Sequence, residues 1–130
     1  MIFADTGGIY AMVHRKDPQH EEAARWVAST SETFILTELV EAEVLTLVRR
    51  RTDHHTAVAL GDALRSSAVF QVEPSTPEDR ERAWQIFRDH VDKRWSFVDC
   101  HSFAVMERLG IETAFTTDND FRQRGFAIVP

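Results

Sequence analysis

Four carboxylic acids stand where the chain can do chemistry: Asp5, Glu43, Asp99 and Asp118. Asp5 and Asp118 each follow a short apolar segment, and Asp99 stands close to the start of an amphipathic one. Glu43 is spaced three and four residues from apolar side chains, which predicts that it projects from the buried stripe of a helix or from its edge. A carboxylate in apolar surroundings is costly unless it is paired, protonated or bound to a cation.

Each acid taken alone has an ordinary explanation. An Asp before a helix is commonly an N-cap, Ser96 and Asp99 have the spacing of a capping box, and Glu43 can be satisfied by an arginine or by backbone. Together they indicate one acidic crevice, in which a divalent ion would relieve the mutual repulsion. Oxygen ligands favour Mg²⁺ or Mn²⁺ over Zn²⁺. Asp120, two residues beyond Asp118, is a further candidate ligand.

Other site chemistries have weaker support. The six histidines show no metal-binding spacing, and His101 and Asp99, two positions apart on a helix, point to different faces. Cys100 is the single cysteine, so neither an internal disulfide nor a multi-cysteine zinc site is available, and it is expected to be a buried small residue. No nucleophile elbow accompanies the serines.

Strands alternating with helices must position these acids. Short β-branched or aromatic strands are predicted over 2–4, 33–36, 69–72, 113–116 and 126–129, with helices near 17–29, 38–51, 54–66, 76–91 and 97–110. Parallel strands need long crossovers, so the order predicts a three-layer α/β/α sandwich with a mainly parallel central sheet of four or five strands. One domain spans 1–130. Ligands of such sheets bind beyond the carboxyl ends of the strands, where Asp5 and Asp118 fall.

Local signals predict several helix ends. Asp17-Pro18 and Thr76-Pro77 are typical N-terminal caps, and Gly110 suits a left-handed helix end. In the helix that follows Thr76, the spacing of apolar residues predicts an inward stripe of Ala83, Trp84, Phe87 and Val91.

Composition bounds the function. The 130 residues carry 15 Lys plus Arg against 21 Asp plus Glu, a net charge of −6 with 43% hydrophobic residues. This balance predicts a soluble globular domain and excludes a module that binds nucleic acid by bulk basicity. No segment matches a signal peptide or a membrane span, so a cytoplasmic location is expected. Without the four candidate site acids the balance is 15 − 17 = −2.

Several segments in order resemble the PIN-domain ribonucleases, particularly VapC-type toxins: Met1 to Thr6, Glu43 to Arg51, Ser96 to Asp99, and Ala114 to Phe121. The resemblance implies an acidic metal centre of Asp5, Glu43, Asp99 and Asp118. Asp5, Asp99 and Asp118 are expected as direct ligands, Glu43 as a ligand or as the group that orients water, and Asp120 as a complement to Asp118. Thr6 and Thr116 match flanking hydroxyl positions, whereas Gly7 stands where many relatives carry a small polar side chain.

The resemblance also implies an activity and partners. It predicts a Mg²⁺-dependent endoribonuclease, with Mn²⁺ as a substitute, that cleaves tRNA, rRNA or mRNA and leaves a 5′-phosphate. A homodimer and a cognate VapB-like antitoxin, which blocks the site with a basic C-terminal segment, are further expectations. The candidate RNA contacts are Arg49, Arg50, Arg51, Lys93, Arg94, Arg122 and Arg124.

Three alternatives fit less well. A receiver-like phosphoacceptor domain needs an adjacent acidic pair after the first strand, but Ala4 and Thr6 flank Asp5. A haloacid-dehalogenase-like phosphatase needs a second Asp where Gly7 stands. A catalytically silent PIN scaffold that acts through protein partners would not be expected to retain all four acids.

Overall fold

A computed structural model describes residues 1–130 and contains one five-stranded sheet. The strands are β1 (Ile2–Ala4), β2 (Phe34–Thr37), β3 (Phe70–Glu73), β4 (Thr113–Phe115) and β5 (Ala127–Val129). Their order is β3-β2-β1-β4-β5, and every neighbouring pair is parallel. The predicted α/β class is therefore confirmed, and the sheet is wholly rather than mainly parallel.

Seven helices flank the sheet: α1 (Thr6–Val13), α2 (His20–Ser29), α3 (Glu38–Arg51), α4 (His54–Ser66), α5 (Pro77–Asp89), α6 (Phe97–Leu109) and α7 (Asp120–Arg124). The predicted bounds of α3 and α4 are confirmed. The helix predicted from Asp17 instead begins at His20, because an Asp17 carboxylate oxygen accepts from the Gln19 N–H and closes a turn. None of the helices combines the length and apolar character needed to cross a bilayer.

Two helices were not predicted. In α1, Gly7 and Gly8 obscure the apolar pattern, and α7 has only five residues. Gly8 is required where it stands, because a Cβ there would lie 2.4 Å from the carbonyl oxygen of Phe115. This close approach packs α1 against β4, next to the end of β1.

The predicted inward stripe of α5 is largely wrong. Asp79, Ala83 and Ile86 are buried, whereas Trp84 and Phe87 are 50% and 42% exposed and Val91 lies beyond the end of the helix. The docking of α5 on α6 selects the buried face: Arg108 of α6 holds the Asp79 carboxylate with two hydrogen bonds of 2.8 and 2.9 Å.

The position of β1 at the centre of the sheet determines where a ligand can bind. The chain first passes from β1 to β2 on one side and later returns through β4 on the other. This reversal creates a crevice beyond the carboxyl ends of β1 and β4, which is the usual ligand site of open parallel sheets. Ala4 pairs with Phe115, so the residues that follow the two strands, Asp5 and Thr116, are neighbours.

Candidate metal centre

Asp5 lies in this crevice with only 5% of its surface exposed. Its backbone N–H donates to the Phe115 carbonyl at 3.0 Å, and the Thr116 hydroxyl donates to Asp5 Oδ2 at 2.8 Å. Thr116 Oγ1 also accepts from the Asp118 N–H at 3.0 Å. Thr116 thus links Asp5 with Asp118, and its own bond to Asp5 spans 111 residues of sequence.

Asp99, Asp118 and Asp120 form the rest of the cluster. One carboxylate oxygen from each lies within 4.8 Å of the others. The predicted capping box is present, since Asp99 Oδ2 accepts from the Ser96 N–H and the Asp99 N–H donates to Ser96 Oγ, both at 3.0 Å. Asp118 Oδ1 accepts from the Asp120 N–H at 2.9 Å. In Asp99 and Asp118 these contacts occupy one oxygen and leave the other for a ligand, so capping and ion binding are compatible.

The cluster carries uncompensated negative charge. Burial, reinforced by the charges of Asp99 and Asp118, raises the pKa of Asp5 to about 7 despite the Thr116 hydrogen bond. Burial, with Asp118 and Asp120 adding to it, raises the pKa of Asp99 to about 6. Burial and the neighbouring Asp118 also raise the pKa of Asp120. No lysine or arginine forms an ion pair with any of these acids.

These residues fit a hard divalent cation. The donor set consists of oxygen atoms alone, and a positive ion would replace the missing counter-charge. The Thr6 hydroxyl is buried beside Asp5 without a hydrogen-bond partner, so a polar group is left for a water or ligand to satisfy. A side chain at position 7 would require the exposed Thr117 side chain to rotate, because Thr117 Oγ1 lies 2.6 Å from where its Cβ would be.

Glu43 is not part of the cluster. The buried residues of α3 are Val40, Val44 and Val48, and Glu43 is exposed, so of the two expected positions the buried stripe itself is excluded. One residue is about 100° of rotation on a helix, which places Glu43 past the edge of the stripe. It lines a groove with Val98, the residue before Asp99, and therefore borders the site without joining it.

The candidate RNA contacts on α3 point in several directions. Arg50 lines the same groove as Glu43. Arg49 and Arg50 also line a groove between α3 and α4. The Arg51 guanidinium lies 5.7 Å from the centroid of the Tyr10 ring, in a cation–π contact.

The other basic candidates are more dispersed. Arg124 pairs with Glu107 at 2.6 Å and lies over the Trp95 ring, so its charge is already engaged within the protein. Lys93 pairs with its exposed neighbour Asp92, and Arg94 is exposed. Arg122 donates to Asn119 at 3.3 Å, beside the acidic cluster.

Groups expected to lie outside the site do so. Cys100 is buried and free, and burial raises the pKa of its thiol to about 11. His101 is buried with no partner for either ring nitrogen, and it does not join the acidic cluster.

A parallel α/β sheet with an uncompensated acidic cluster at its switch point fits a metal-dependent nuclease. The chain belongs to the PIN domain family, whose model matches residues 2–127. This family assignment replaces the receiver-like alternative.

Known relatives agree with this assignment. The chain is 40% identical over 129 residues to the 23S rRNA-specific endonuclease VapC20 of Mycobacterium tuberculosis, covering 99% of this chain and 98% of that protein. The crystal structure of that VapC20, a Sarcin-Ricin loop cleaving toxin, matches with a TM-score of 0.92 and 38% identity over 98% of this chain and 97% of that one. FitAcB of Neisseria gonorrhoeae shares the fold, with a TM-score of 0.75 and 20% identity over 100% and 97% of the two chains.

Proposed function

We propose that this protein is the toxin of a toxin–antitoxin pair, a metal-dependent endoribonuclease in which Asp5, Asp99 and Asp118 bind the ion. One observation carries the proposal: Asp99, Asp118 and Asp120 converge beside the buried Asp5, and no cationic side chain neutralises them. Mg²⁺ is the proposed ion, and Mn²⁺ is expected to substitute because it accepts the same oxygen donors.

The residues of the chain have separate roles in the proposed mechanism. A divalent ion in such a site activates water and stabilises the charge that develops on the scissile phosphate. Thr116 holds Asp5 in one orientation, and the Ser96 cap does the same for Asp99. Asp120 shares the cluster with Asp118 and complements it. Glu43, exposed at the border of the site, is assigned the orientation of the attacking water rather than ion binding.

The proposed substrate is a ribosomal RNA loop, by analogy with the 23S rRNA named for the relative that is 40% identical. Arg50 lies in the groove that Glu43 lines and is the basic candidate best placed to bind the RNA backbone. Cleavage is proposed to leave a 5′-phosphate on the downstream fragment.

The test is cleavage of purified 23S rRNA and of total RNA by protein freed of antitoxin, with Mg²⁺, with Mn²⁺ or with chelator. Mapping of 5′ ends identifies the site. Asp5→Asn is expected to abolish cleavage, whereas Asp62→Asn, which removes the same charge from the exposed face of α4, is expected to leave it intact. Cleavage that survives both chelator and Asp5→Asn contradicts the mechanism. Correctly folded wild-type protein that never cleaves RNA supports the silent scaffold.

We also propose a homodimer and an antitoxin whose basic C-terminal segment enters the acidic crevice. Charge complementarity supports the second partner, because a basic side chain there takes the place of the metal ion. Expression is expected to arrest growth unless the antitoxin is coexpressed, and light scattering measures the oligomeric state. Normal growth with abundant soluble wild-type protein contradicts the toxin assignment.

A further inference from the structure

A cavity lies between the C-terminal part of α5 and the start of α6, the helix that carries Asp99. Its volume is about 340 Å³, and its walls include Trp84, Phe87 and Trp95. Trp84 and Phe87 are among the few large apolar side chains that the protein leaves exposed. Neither the metal centre nor the hydrophobic core uses these two rings.

Three aromatic rings pack in a row from the cavity to the start of α6, the helix that carries Asp99. The ring centroids of Trp84 and Phe87 are 6.0 Å apart, and Phe87 meets Phe97 edge to face at 6.0 Å. Phe97 and Asp99 lie in the same first turn of α6, two positions apart and therefore on different faces of the helix. Cys100, the residue after Asp99, lines the cavity itself. The cavity and the acidic cluster thus both involve residues of the first turn of α6.

The cavity wall contains cationic but no acidic side chains, in a protein whose net charge is −6. Arg88 and Lys93 line it, and no acidic residue does. Each of the two cations pairs only with an exposed neighbour, Asp89 or Asp92. Exposed pairs of this kind contribute little, so both cations can turn to a phosphate group.

One wall residue also carries an unsatisfied donor. Trp95 is 7% exposed, and its indole N–H has no hydrogen-bond partner. A buried N–H without a partner is uncommon in a folded protein. The indole nitrogen is itself shielded from solvent, so this unsatisfied donor lies behind the cavity wall and is not counted among the contacts to a bound ligand.

We propose that this cavity binds an unpaired nucleotide of the RNA substrate, with its base stacked on Trp84 and Phe87 and its phosphate beside Arg88 and Lys93. The proposal rests on the proposed ribonuclease function, which supplies the RNA. Stacking of unpaired bases on exposed aromatic rings is the common way in which proteins recognise RNA loops. The cavity would thus select single-stranded or looped RNA over a continuous duplex.

The test measures RNA binding separately from cleavage. The protein carries Asp5→Asn to block cleavage, and binding is measured both in Mg²⁺ and in chelator. The probes are a single-stranded RNA 12-mer, the same strand with abasic sites, and its duplex. Stacking on Trp84 is expected to quench its fluorescence with the single strand alone, and Trp84→Phe is expected to remove the quenching while keeping the affinity. Trp84→Ala and Phe87→Ala are each expected to weaken single-strand binding by about 5- to 150-fold, the range for one lost stacking contact.

Val69→Ala, which trims another exposed apolar side chain, serves as the control and is expected to change nothing. Unchanged single-strand affinity in both alanine variants overturns the proposal. Equal affinity for the abasic strand and the intact strand also overturns it. If the alanine variants convert a dimer to a monomer and keep their RNA affinity, the surface is a contact with a second copy of the chain and the proposal is overturned. Failure of the ribonuclease proposal is seen separately, as wild-type protein that does not cleave RNA in Mg²⁺ or Mn²⁺.

Discussion

When it is ionised, the buried Asp5 carboxylate lowers the unfolding free energy of the metal-free protein. Its pKa in the folded state is about 7, above the ordinary value of 3.8, so the folded state binds more protons than the unfolded state between these values. The contribution of this group to stability is therefore full below about pH 4 and is lost as the pH rises to about 7. Occupation of the site by a cation removes this cost, which couples metal binding to stability.

Substitution of Asp5 by Asn is expected to stabilise the metal-free protein at pH 8, by at most about 4 kcal/mol for a pKa shift of this size. The same substitution should flatten the decline in unfolding free energy between pH 5 and pH 8. Urea denaturation in chelator measures both effects, with Asp62→Asn as the matched control. If the unfolding free energy of wild type and of Asp5→Asn has the same pH dependence, burial does not raise the pKa of Asp5.

Metal affinity is expected to fall as the pH is lowered through the range from about 7 to about 6, where Asp5 and Asp99 take up protons. The ion competes with these protons, so each displaced proton makes the apparent affinity change by about tenfold per pH unit. Calorimetric titration with Mn²⁺ at pH 6.0 and 7.5 measures the change. Equal affinity at the two pH values would contradict the assigned ligands.

At the scale of elements, two ion pairs join α5 to α6: an exposed one between Arg82 and Glu107 at 3.3 Å, and a partly buried one between Asp79 and Arg108 at 2.8 Å. Asp79 caps its own helix through the Thr76 N–H and accepts two hydrogen bonds from Arg108. Burial alone would raise the pKa of Asp79, but the hydrogen bonds from Arg108 and Thr76 outweigh it and lower the pKa below its usual value. The pair therefore stabilises the protein above about pH 4 and loses its contribution only in stronger acid.

Asp79→Ala is expected to lower the unfolding free energy by about 2 to 4 kcal/mol. This is less than for a fully buried pair, because part of Arg108 remains solvated. Thr76→Ala, which removes the cap and keeps the ion pair, should cost about 1 kcal/mol. Chemical denaturation at pH 7 ranks the two variants. Equal losses would show that the ion pair with Arg108 contributes nothing to stability beyond the cap at Thr76.

The contact between α1 and β4 constrains the metal centre through Gly8. A Cβ at position 8 meets backbone, which cannot move aside, so Gly8→Ala is expected to displace α1 and the neighbouring Asp5. The expected cost is about 1 to 3 kcal/mol, with a loss of metal affinity. Gly61→Ala is the control, since its nearest contact is the flexible end of the Arg65 side chain at 3.2 Å. Thermal unfolding and Mn²⁺ titration compare the two variants. Similar stability and metal affinity in both would show that the close approach of Gly8 to β4 does not position Asp5.

At the scale of the whole molecule, the net charge of −6 shapes RNA binding. Part of the negative charge is concentrated at the site, so the bound cation inverts the local field that a phosphate encounters. Arg50, Arg88 and Lys93 are the proposed backbone contacts. RNA binding is therefore expected to require the metal ion and to involve contacts with only a few phosphates.

The test uses Glu43→Gln, which is expected to block cleavage and keep the ion ligands. The logarithm of its RNA affinity should fall with the logarithm of salt with a slope near −2, for about three single-strand phosphates. Chelator should weaken the binding. A slope steeper than about −5, with no effect of chelator, would indicate binding by bulk basicity instead.

Much of this protein could be predicted from sequence alone, because the signals are local. The caps at Thr76 and Ser96, the left-handed helix end at Gly110, and the bounds of α3 and α4 depend on a few neighbouring residues. The order of elements was enough for the parallel α/β class. The number and positions of the acidic residues were enough to predict an acidic crevice with oxygen donors for a cation.

Tertiary structure decided what depends on distant neighbours. Periodicity placed Trp84 on a buried stripe, yet it is exposed, and it left open whether Glu43 lies on the stripe or at its edge, since burial depends on which element packs against each face. The Thr116 contact with Asp5 joins strands that only the sheet order brings together. Sequence thus determined which groups are available, whereas the packing of α5 on α6 and of β1 beside β4 determined which of them meet, because side-chain contacts form through space and not along the chain.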